Sequence, residues 1–84
     1  MSRPSAELVR QHCERLKQIV KASGLSFSLE TMHLNDFDAI ARTAEEHPEE
    51  ADYRLRLKAQ HLKDELILTG ERFNELFNGG SDAP

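Results

Sequence analysis

The chain has 84 residues, a net charge of −4, 31% charged residues and 38% apolar residues. This length allows one domain with a small core, which is only marginally stable on its own. The apolar residues are periodic, which argues against a disordered chain. The acidic balance argues against general binding to phosphate backbones.

The cysteine content and the hydropathy of the chain bear on its cellular compartment. Cys13 is the only cysteine, which excludes an intrachain disulfide framework and favours a reducing compartment. No apolar run approaches the roughly 18 residues that a membrane span needs, and the N-terminus lacks a signal-peptide core. We therefore expect a cytoplasmic protein that does not enter a membrane.

The first predicted helix covers about residues 4–22. Ser2 or Arg3 stands where an N-cap belongs, and Pro4 suits the first turn. Its apolar residues recur at three- and four-residue steps, which gives one apolar stripe. The stripe consists of Leu8, Val9, Cys13, Leu16, Ile19 and Val20. Gly24 follows as a residue suited to a left-handed helix end.

Residues 25–34 leave two alternatives. Leu25, Phe27 and Leu29 alternate with serines, which is the period of a strand, but no other segment alternates as a partner. The sequence favours an extended connector that lays these three residues onto the core. The alternative is a helix that begins at Ser28.

A short second helix is predicted from Asn35, a good N-cap, to about His47. Its apolar face consists of Phe37, Ile40, Ala41 and Ala44. Pro48 disfavours helical geometry at the residue before it, so the helix should end there.

A long third helix is predicted from Pro48 to Phe77, either continuous or interrupted at Thr69-Gly70. Its apolar residues follow a heptad spacing of 4, 3, 4, 3, 4, 3, with one polar member. They are Leu55, Ala59, Leu62, Leu66, Thr69, Phe73 and Leu76. Asn78 and the glycines after it should end the helix.

These elements predict an all-α fold of three helices with a long C-terminal helix. We expect residues 1–80 to form a single helical domain and residues 81–84 to form a disordered tail. Three short apolar faces cannot cover a helix of this length, so part of its C-terminal stripe is expected to meet a second chain. An antiparallel homodimer that closes into a helical bundle is the simplest arrangement. The predicted contact residues are Leu66, Phe73, Leu76 and Phe77.

Residues 35–52 carry seven acidic residues and one arginine, which makes this segment the strongest local charge in the chain. The carboxylates crowd one helix junction, where they favour helix starts and a docking surface for a basic partner. The predicted docking residues are Glu45, Glu46, Glu49 and Glu50.

Catalytic and metal-binding patterns are weak. The four histidines lie on different segments, and adjacent His12 and Cys13 diverge on a helix by about 100°. No paired-cysteine motif, phosphate-binding glycine loop or nucleophile elbow occurs. We expect neither an enzyme, a bound metal nor a cofactor.

The stretch I-V-K-A-S-G-L-S-F-S at residues 19–28 resembles the turn of a helix-turn-helix DNA-binding motif. Ala22, Gly24, Leu25 and Ser26 match its small residue, turn glycine, buried aliphatic residue and cap. The resemblance implies a DNA-binding regulator. The acidic segment that follows makes nucleic acid the less favoured partner.

Two short motifs, A-S-G-L-S-F from Ala22 and H-P-E-E from His47, follow one another along the chain. Their order resembles that in the small theta subunit of bacterial replicative polymerase. That resemblance implies a three-helix accessory protein of a proofreading exonuclease.

The sequence therefore favours a small non-enzymatic protein-binding module, acting as a regulator, inhibitor or adaptor. It would bind through an apolar helix face and an acidic surface. A helix-turn-helix-like DNA-binding regulator is the alternative.

Overall fold

The structure is a computed structural model, and it describes residues 5–77. It contains four α-helices and, within those residues, no strand. The helices are α1 (Ala6–Lys21), α2 (Phe27–Glu46), α3 (Pro48–Asp64) and α4 (Gly70–Phe77). The predicted all-α class is confirmed, whereas the number of helices differs from the three expected. The predicted tail at 81–84 lies outside the described residues.

Helix α1 presents the predicted stripe to the core except at Leu8, which is 42% exposed. Val9, Cys13, Leu16 and Val20 are buried. The N-cap is Ser5, whose hydroxyl accepts a hydrogen bond from the Leu8 N–H at 3.0 Å, rather than Ser2 or Arg3. After the helix, Gly24 takes the left-handed conformation that its position predicted, with φ at 72°.

The favoured prediction for residues 25–34, an extended connector, is wrong. Helix α2 begins at Phe27, one residue before the alternative start, and Ser26 is its N-cap. Phe27 is 84% exposed and Leu29 is also exposed, so the alternation did not mark burial. Asn35 lies inside α2 instead of capping a new helix. The reason is that a strand without a partner leaves its backbone groups unpaired, whereas Ser26 offers a cap to a helix.

Helices α1 and α2 form an antiparallel hairpin. Near its middle, Lys17 Nζ lies 2.9 Å from Asp38 Oδ1, and towards its far end Arg10 pairs with Glu45. The chain then turns at His47, as predicted, and α3 starts with Pro48 as its first residue. Helix α3 runs back along α2, so these three helices form a bundle.

The predicted long helix over residues 48–77 is two helices, because the chain turns at Leu66. The N–H of Ile67 donates to the Leu62 carbonyl at 2.9 Å, and the N–H of Leu66 donates to the Lys63 carbonyl at 3.1 Å. This hydrogen-bond pattern is the Schellman helix end, which needs one left-handed residue. Leu66 occupies that position with φ at 66°. The interruption thus comes before Thr69-Gly70, and the heptad seam ends at Leu62.

Helix α4 folds back along α3. Thr69 starts it, since its hydroxyl accepts the Arg72 N–H at 3.1 Å, so Gly70 lies at a helix start and not in an interior. Arg56 on α3 lies over the ring of Phe77 at the far end of α4, 4.9 Å from its centroid. Burying Phe77 contributes about 1.5–3 kcal/mol, which offsets the roughly 1–2 kcal/mol cost of a left-handed leucine.

The core lies between α1, α2 and α3, with Leu68 and Phe77 adding to it from the C-terminal segment. The predicted face of α2 contributes Phe37, Ile40 and Ala44, with Ala41 packed at its edge. Helix α3 contributes Ala51, Leu55, Ala59 and Leu62. Every element therefore supplies residues to one core.

Candidate functional site

Two grooves flank α3, and α4 occupies the one between α1 and α3, with clefts remaining between α4 and α1. Phe77 is 9% exposed, and its ring meets the His12 ring edge-to-face with centroids 5.1 Å apart. Burial lowers the pKa of His12, and the nearby Arg56 lowers it further. The apolar side of α4 therefore packs against other residues of the same chain.

This arrangement decides where the predicted C-terminal contact residues lie. Phe77 is buried, and Phe73 and Leu76 are half-buried against the core of their own chain. Only Leu66 is open, with 90% of its surface exposed. Three of the four residues thus pack inside the molecule, because the turn at Leu66 returns α4 onto α3.

The second groove, between α2 and α3, is open along its outer side. It encloses a cavity of about 300 Å³. Its lining consists of Asp36, Ala39, Ile40 and Thr43 from α2 and Arg54, Leu57, Lys58 and His61 from α3. Ile40 belongs to the core and forms apolar floor, whereas Leu57 is 46% exposed. We call this feature the α2–α3 groove.

An apolar stripe continues the groove along α2. Leu29 and Met32 are both exposed. They precede the groove residues Asp36 and Ala39 with spacings of three, four and three. Residues at this spacing share one side of a helix. The stripe therefore extends the groove towards the N-terminal end of α2.

On α3, Tyr53 lies one turn before Leu57, and both side chains are exposed. At the other end, Leu66 follows Glu65, whose carboxylate lies 3.8 Å from Nε2 of His33 on α2. The exposed leucine is thus at the same end of the bundle as the exposed stripe of α2. Large apolar side chains border the groove from both helices.

Leu66 combines exposure with an unfavourable backbone. A leucine in the left-handed region costs about 1–2 kcal/mol relative to a residue that prefers it. Glycine would take the same φ of 66° without that cost. The leucine side chain adds little to its own fold, being 90% exposed. Strain at an exposed apolar residue favours a role in contact with another molecule.

A polar cluster built around the buried His33 joins the two walls of the groove. Nζ of Lys58 lies 2.7 Å from Nδ1 of His33 and 2.8 Å from a carboxylate oxygen of Asp36. Because an ammonium group can only donate, Nδ1 accepts and the proton is on Nε2, facing Glu65. His33 is 4% exposed, and burial, followed by the charge of Lys58, lowers its pKa. The cluster links α2 to α3 across the groove.

The predicted acidic residues lie at the turn between α2 and α3. Glu45, Glu46, Glu49 and Glu50 are all exposed. Glu45 pairs with Arg10, and Glu50 pairs with Arg54 at 2.8 Å. Since Arg54 also lines the groove, Glu50 stands at one of its ends, whereas Glu45 faces α1. The structure thereby places the acidic surface next to an apolar one.

Reactive side chains show no arrangement for catalysis among residues 5–77. Cys13 is buried, and burial raises the pKa of its thiol to about 11, which keeps it protonated. Within the same residues, no group of three His, Cys, Asp or Glu side chains is placed to hold a metal.

Sequence reasoning missed the α2–α3 groove. Its stripe on α2 is a second, weaker periodicity beside the core stripe, and charged Asp36 interrupts it. The signal was the exposed Leu29 and Met32, which the connector prediction assigned to a different element or left unused. Reading residues 27–46 as one helix would have revealed that second face.

The chain matches no protein-family model, no curated protein and no solved structure. Both resemblances noted from the sequence therefore depend on their short motifs alone. None of the helices described between residues 5 and 77 has the length and apolar character needed to cross a bilayer.

Proposed function

We propose that this protein is a small non-enzymatic protein-binding module, a regulator, inhibitor or adaptor, whose contact surface is the α2–α3 groove. The observation that carries the proposal is an open groove bordered by exposed apolar side chains on both walls. A neighbouring groove on the same helix is already occupied by α4.

Energetics support a contact role for these side chains. Each large apolar residue that becomes fully buried contributes about 1.5–3 kcal/mol. Met32, Leu57 and Leu66 leave much of that contribution unused in the isolated chain. Tyr53 adds a rigid aromatic side chain of the kind enriched in energetically important contacts. A partner that covers the groove would recover this free energy.

The acidic residues at the turn between α2 and α3 support the acidic contact surface in the predicted function. Glu50 pairs with Arg54 of the groove wall, and Glu46 follows the groove residue Thr43 by three positions on α2. A partner in the groove would therefore meet negative charge at this end. Charges at the rim of an interface act mainly on association rate and partner choice.

The structure changes the basis for the predicted homodimer. That prediction relied on an uncovered C-terminal stripe, and α4 now covers its stripe against α1 and α3. We therefore propose a different protein as the partner, with a second copy as an outcome to be tested.

DNA binding is less well supported. Helix-turn-helix motifs cross their two helices at about 90–120°. Here α1 and α2 pair along their lengths as an antiparallel hairpin, held by Lys17–Asp38 and Arg10–Glu45.

Site-specific photocrosslinking tests the proposal. A photoreactive amino acid replaces Leu57 in the groove or, as a control, exposed Gln11 on α1, and both proteins are irradiated in the native host. We expect a discrete adduct from position 57, its loss when Met32→Glu is added, and none from position 11. Equal labelling at both positions would reject the groove as the contact surface.

A charge-insertion pair provides a matched control for folding. Leu57→Glu and Leu8→Glu alter leucines that are 46% and 42% exposed, respectively, but only Leu57 lines the groove. Both variants should unfold at similar urea concentrations, and only Leu57→Glu should lose the adducts of a crosslinker placed at position 53. Light scattering of the same samples shows whether a second copy is the partner.

A further inference from the structure

The geometry of the α2–α3 groove favours a helix as its occupant. Leu29, Met32, Asp36, Ala39 and Thr43 follow one another on α2 at steps of three and four. A row with these alternating steps runs along one face of a helix, as do the rows through which helices pack together in bundles. Within residues 5–77 the chain offers no strand, and hence no sheet edge to pair with an extended peptide.

Helix α4 illustrates the same mode of packing in the neighbouring groove. It lies against α3 through aromatic residues, with Arg56 over Phe77 at 4.9 Å and Lys63 over Phe73 at 5.1 Å. Small side chains on the open side, Ala39 and Thr43, allow a similar close approach. An amphipathic helix therefore suits both sides of α3.

The charges around the open groove specify the occupant further. The carboxylates are Asp36, Glu46, Glu50 and Glu65, and the cations are Arg54 and Lys58, so four negative and two positive charges leave −2. Lys58 pairs with Asp36, and Arg54 pairs with Glu50. The excess is thus carried at the two ends, by Glu46 at the α2–α3 turn and by Glu65 beside His33.

The two ends are about four helical turns apart. Glu50 belongs to the acidic turn at the start of α3, and Glu65 follows the last residue of α3. The two residues are fifteen positions apart. At 1.5 Å per residue this distance is about 22 Å.

We propose that the groove binds an amphipathic helix of another protein, about four turns long, with an apolar stripe and a lysine or arginine near each end. This inference rests on the proposed function and adds the chemistry of the partner. The apolar stripe would contact Met32 and Leu57, and the two basic residues would face Glu46 and Glu65.

A pair of synthetic peptides tests the inference. Both are stapled helices of eighteen residues with leucines at steps of three and four. One carries lysine at the two ends of the stripe, and the other carries glutamate at the same positions. Each is titrated into the full-length, ¹⁵N-labelled protein at low salt, and amide chemical shifts give the site and the dissociation constant.

We expect the basic peptide to shift amides of α2 and α3 around the groove and to bind at least tenfold more tightly than the acidic one. Raising the salt should reduce that ratio, because screening weakens the charge contribution. Glu46→Gln and Glu65→Gln should each weaken the basic peptide about threefold. Glu14→Gln, an exposed change on α1, should leave its affinity unchanged.

Other outcomes overturn the inference in distinguishable ways. Equal or tighter groove binding by the acidic peptide rejects the basic partner but leaves the groove as a binding surface. No shift with either peptide at millimolar concentration, together with crosslinks at position 57 in the host, rejects a helical occupant alone. Shifts confined to other surfaces, with no crosslinks at position 57, reject the proposed function as well. If the protein instead forms dimers that Leu57→Glu dissociates, the occupant of the groove is a second copy of this chain.

Discussion

The two grooves beside α3 differ in how they are covered. The groove towards α1 receives α4, whose Phe73 and Phe77 pack under Lys63 and Arg56 of α3. The groove towards α2 is lined by aliphatic residues such as Ile40 and Leu57 together with charged and polar side chains, and has no covering element among residues 5–77. Among the described residues, one side of α3 is thus covered by its own chain and the other side is open. The difference shows that two sides of one helix can differ in burial, depending on which other elements reach them.

The side chains at the two grooves also differ, and this difference explains why α4 occupies the groove towards α1. Aromatic rings on α4 give a short helix enough apolar surface to stay docked despite the left-handed turn at Leu66. On the open side, the cluster of Lys58, His33 and Asp36 already joins the walls. The fold therefore keeps the open groove in shape without a helix of its own to fill it.

The largest predicted effect is a difference in the free energy of unfolding between variants of the two grooves. Phe77→Ala should lower the free energy of unfolding by about 3 kcal/mol, because it removes a buried aromatic side chain. Leu57→Ala should cost less than about 1 kcal/mol, since the side chain is already half exposed. Urea denaturation followed by circular dichroism gives both values. Similar losses for the two variants would contradict the distinction between an occupied and an open groove.

Acidification should destabilise both sides through their histidines. The pKa values of His12 and His33 lie below their usual 6.5, mainly because both rings are buried. As the pH falls through 6.5, the histidines of the unfolded chain become protonated before those of the folded chain, so stability is lost progressively down to the folded pKa values. It is fully present above 6.5.

Urea unfolding at pH 7.5, 6.5 and 5.5 measures this loss. His12→Gln and His33→Gln should each flatten the pH dependence, because burial lowers the pKa of both rings in the folded chain. Stability that rises on acidification in the wild-type protein would show that the rings are not held neutral.

Leu66→Gly should stabilise the fold while weakening partner binding. Glycine relieves the left-handed strain, for an expected gain of about 0.5–1 kcal/mol. The control Leu66→Ala keeps the strained backbone and should give no such gain. The peptide titration described above measures binding for both variants. A Leu66→Gly protein of reduced stability would mean that the leucine side chain supports its own fold.

The smallest effect on folding should come from the acidic turn. Changing Glu45, Glu46, Glu49 and Glu50 together to glutamine should alter the free energy of unfolding by less than about 1 kcal/mol. Exposed ion pairs such as Arg10–Glu45 contribute little, and the helix-dipole contribution of Glu49 and Glu50 is also small. Thermal unfolding checks the fold, and unchanged peptide affinity would remove this turn from the contact surface.

Local signals in the sequence determined most of the helical architecture. The core stripe of α1, the face of α2 from Phe37 to Ala44 and the break at Pro48 follow from spacing and from proline geometry. These features depend on neighbours within a few residues, so they can be recognised without a fold. The start of α2 was missed because Leu25, Phe27 and Leu29 alternate by composition and not by burial.

Tertiary structure alone decided the turn at Leu66 and the openness of one groove. Leucine is no signal for a left-handed helix end, and the heptad spacing continues through it as if the helix did too. The turn is stable because Phe77 gains a buried site between α1 and α3, and that gain depends on residues far away in the chain. Whether an apolar stripe becomes core or contact surface depends on which other elements reach it, which spacing along one helix does not encode.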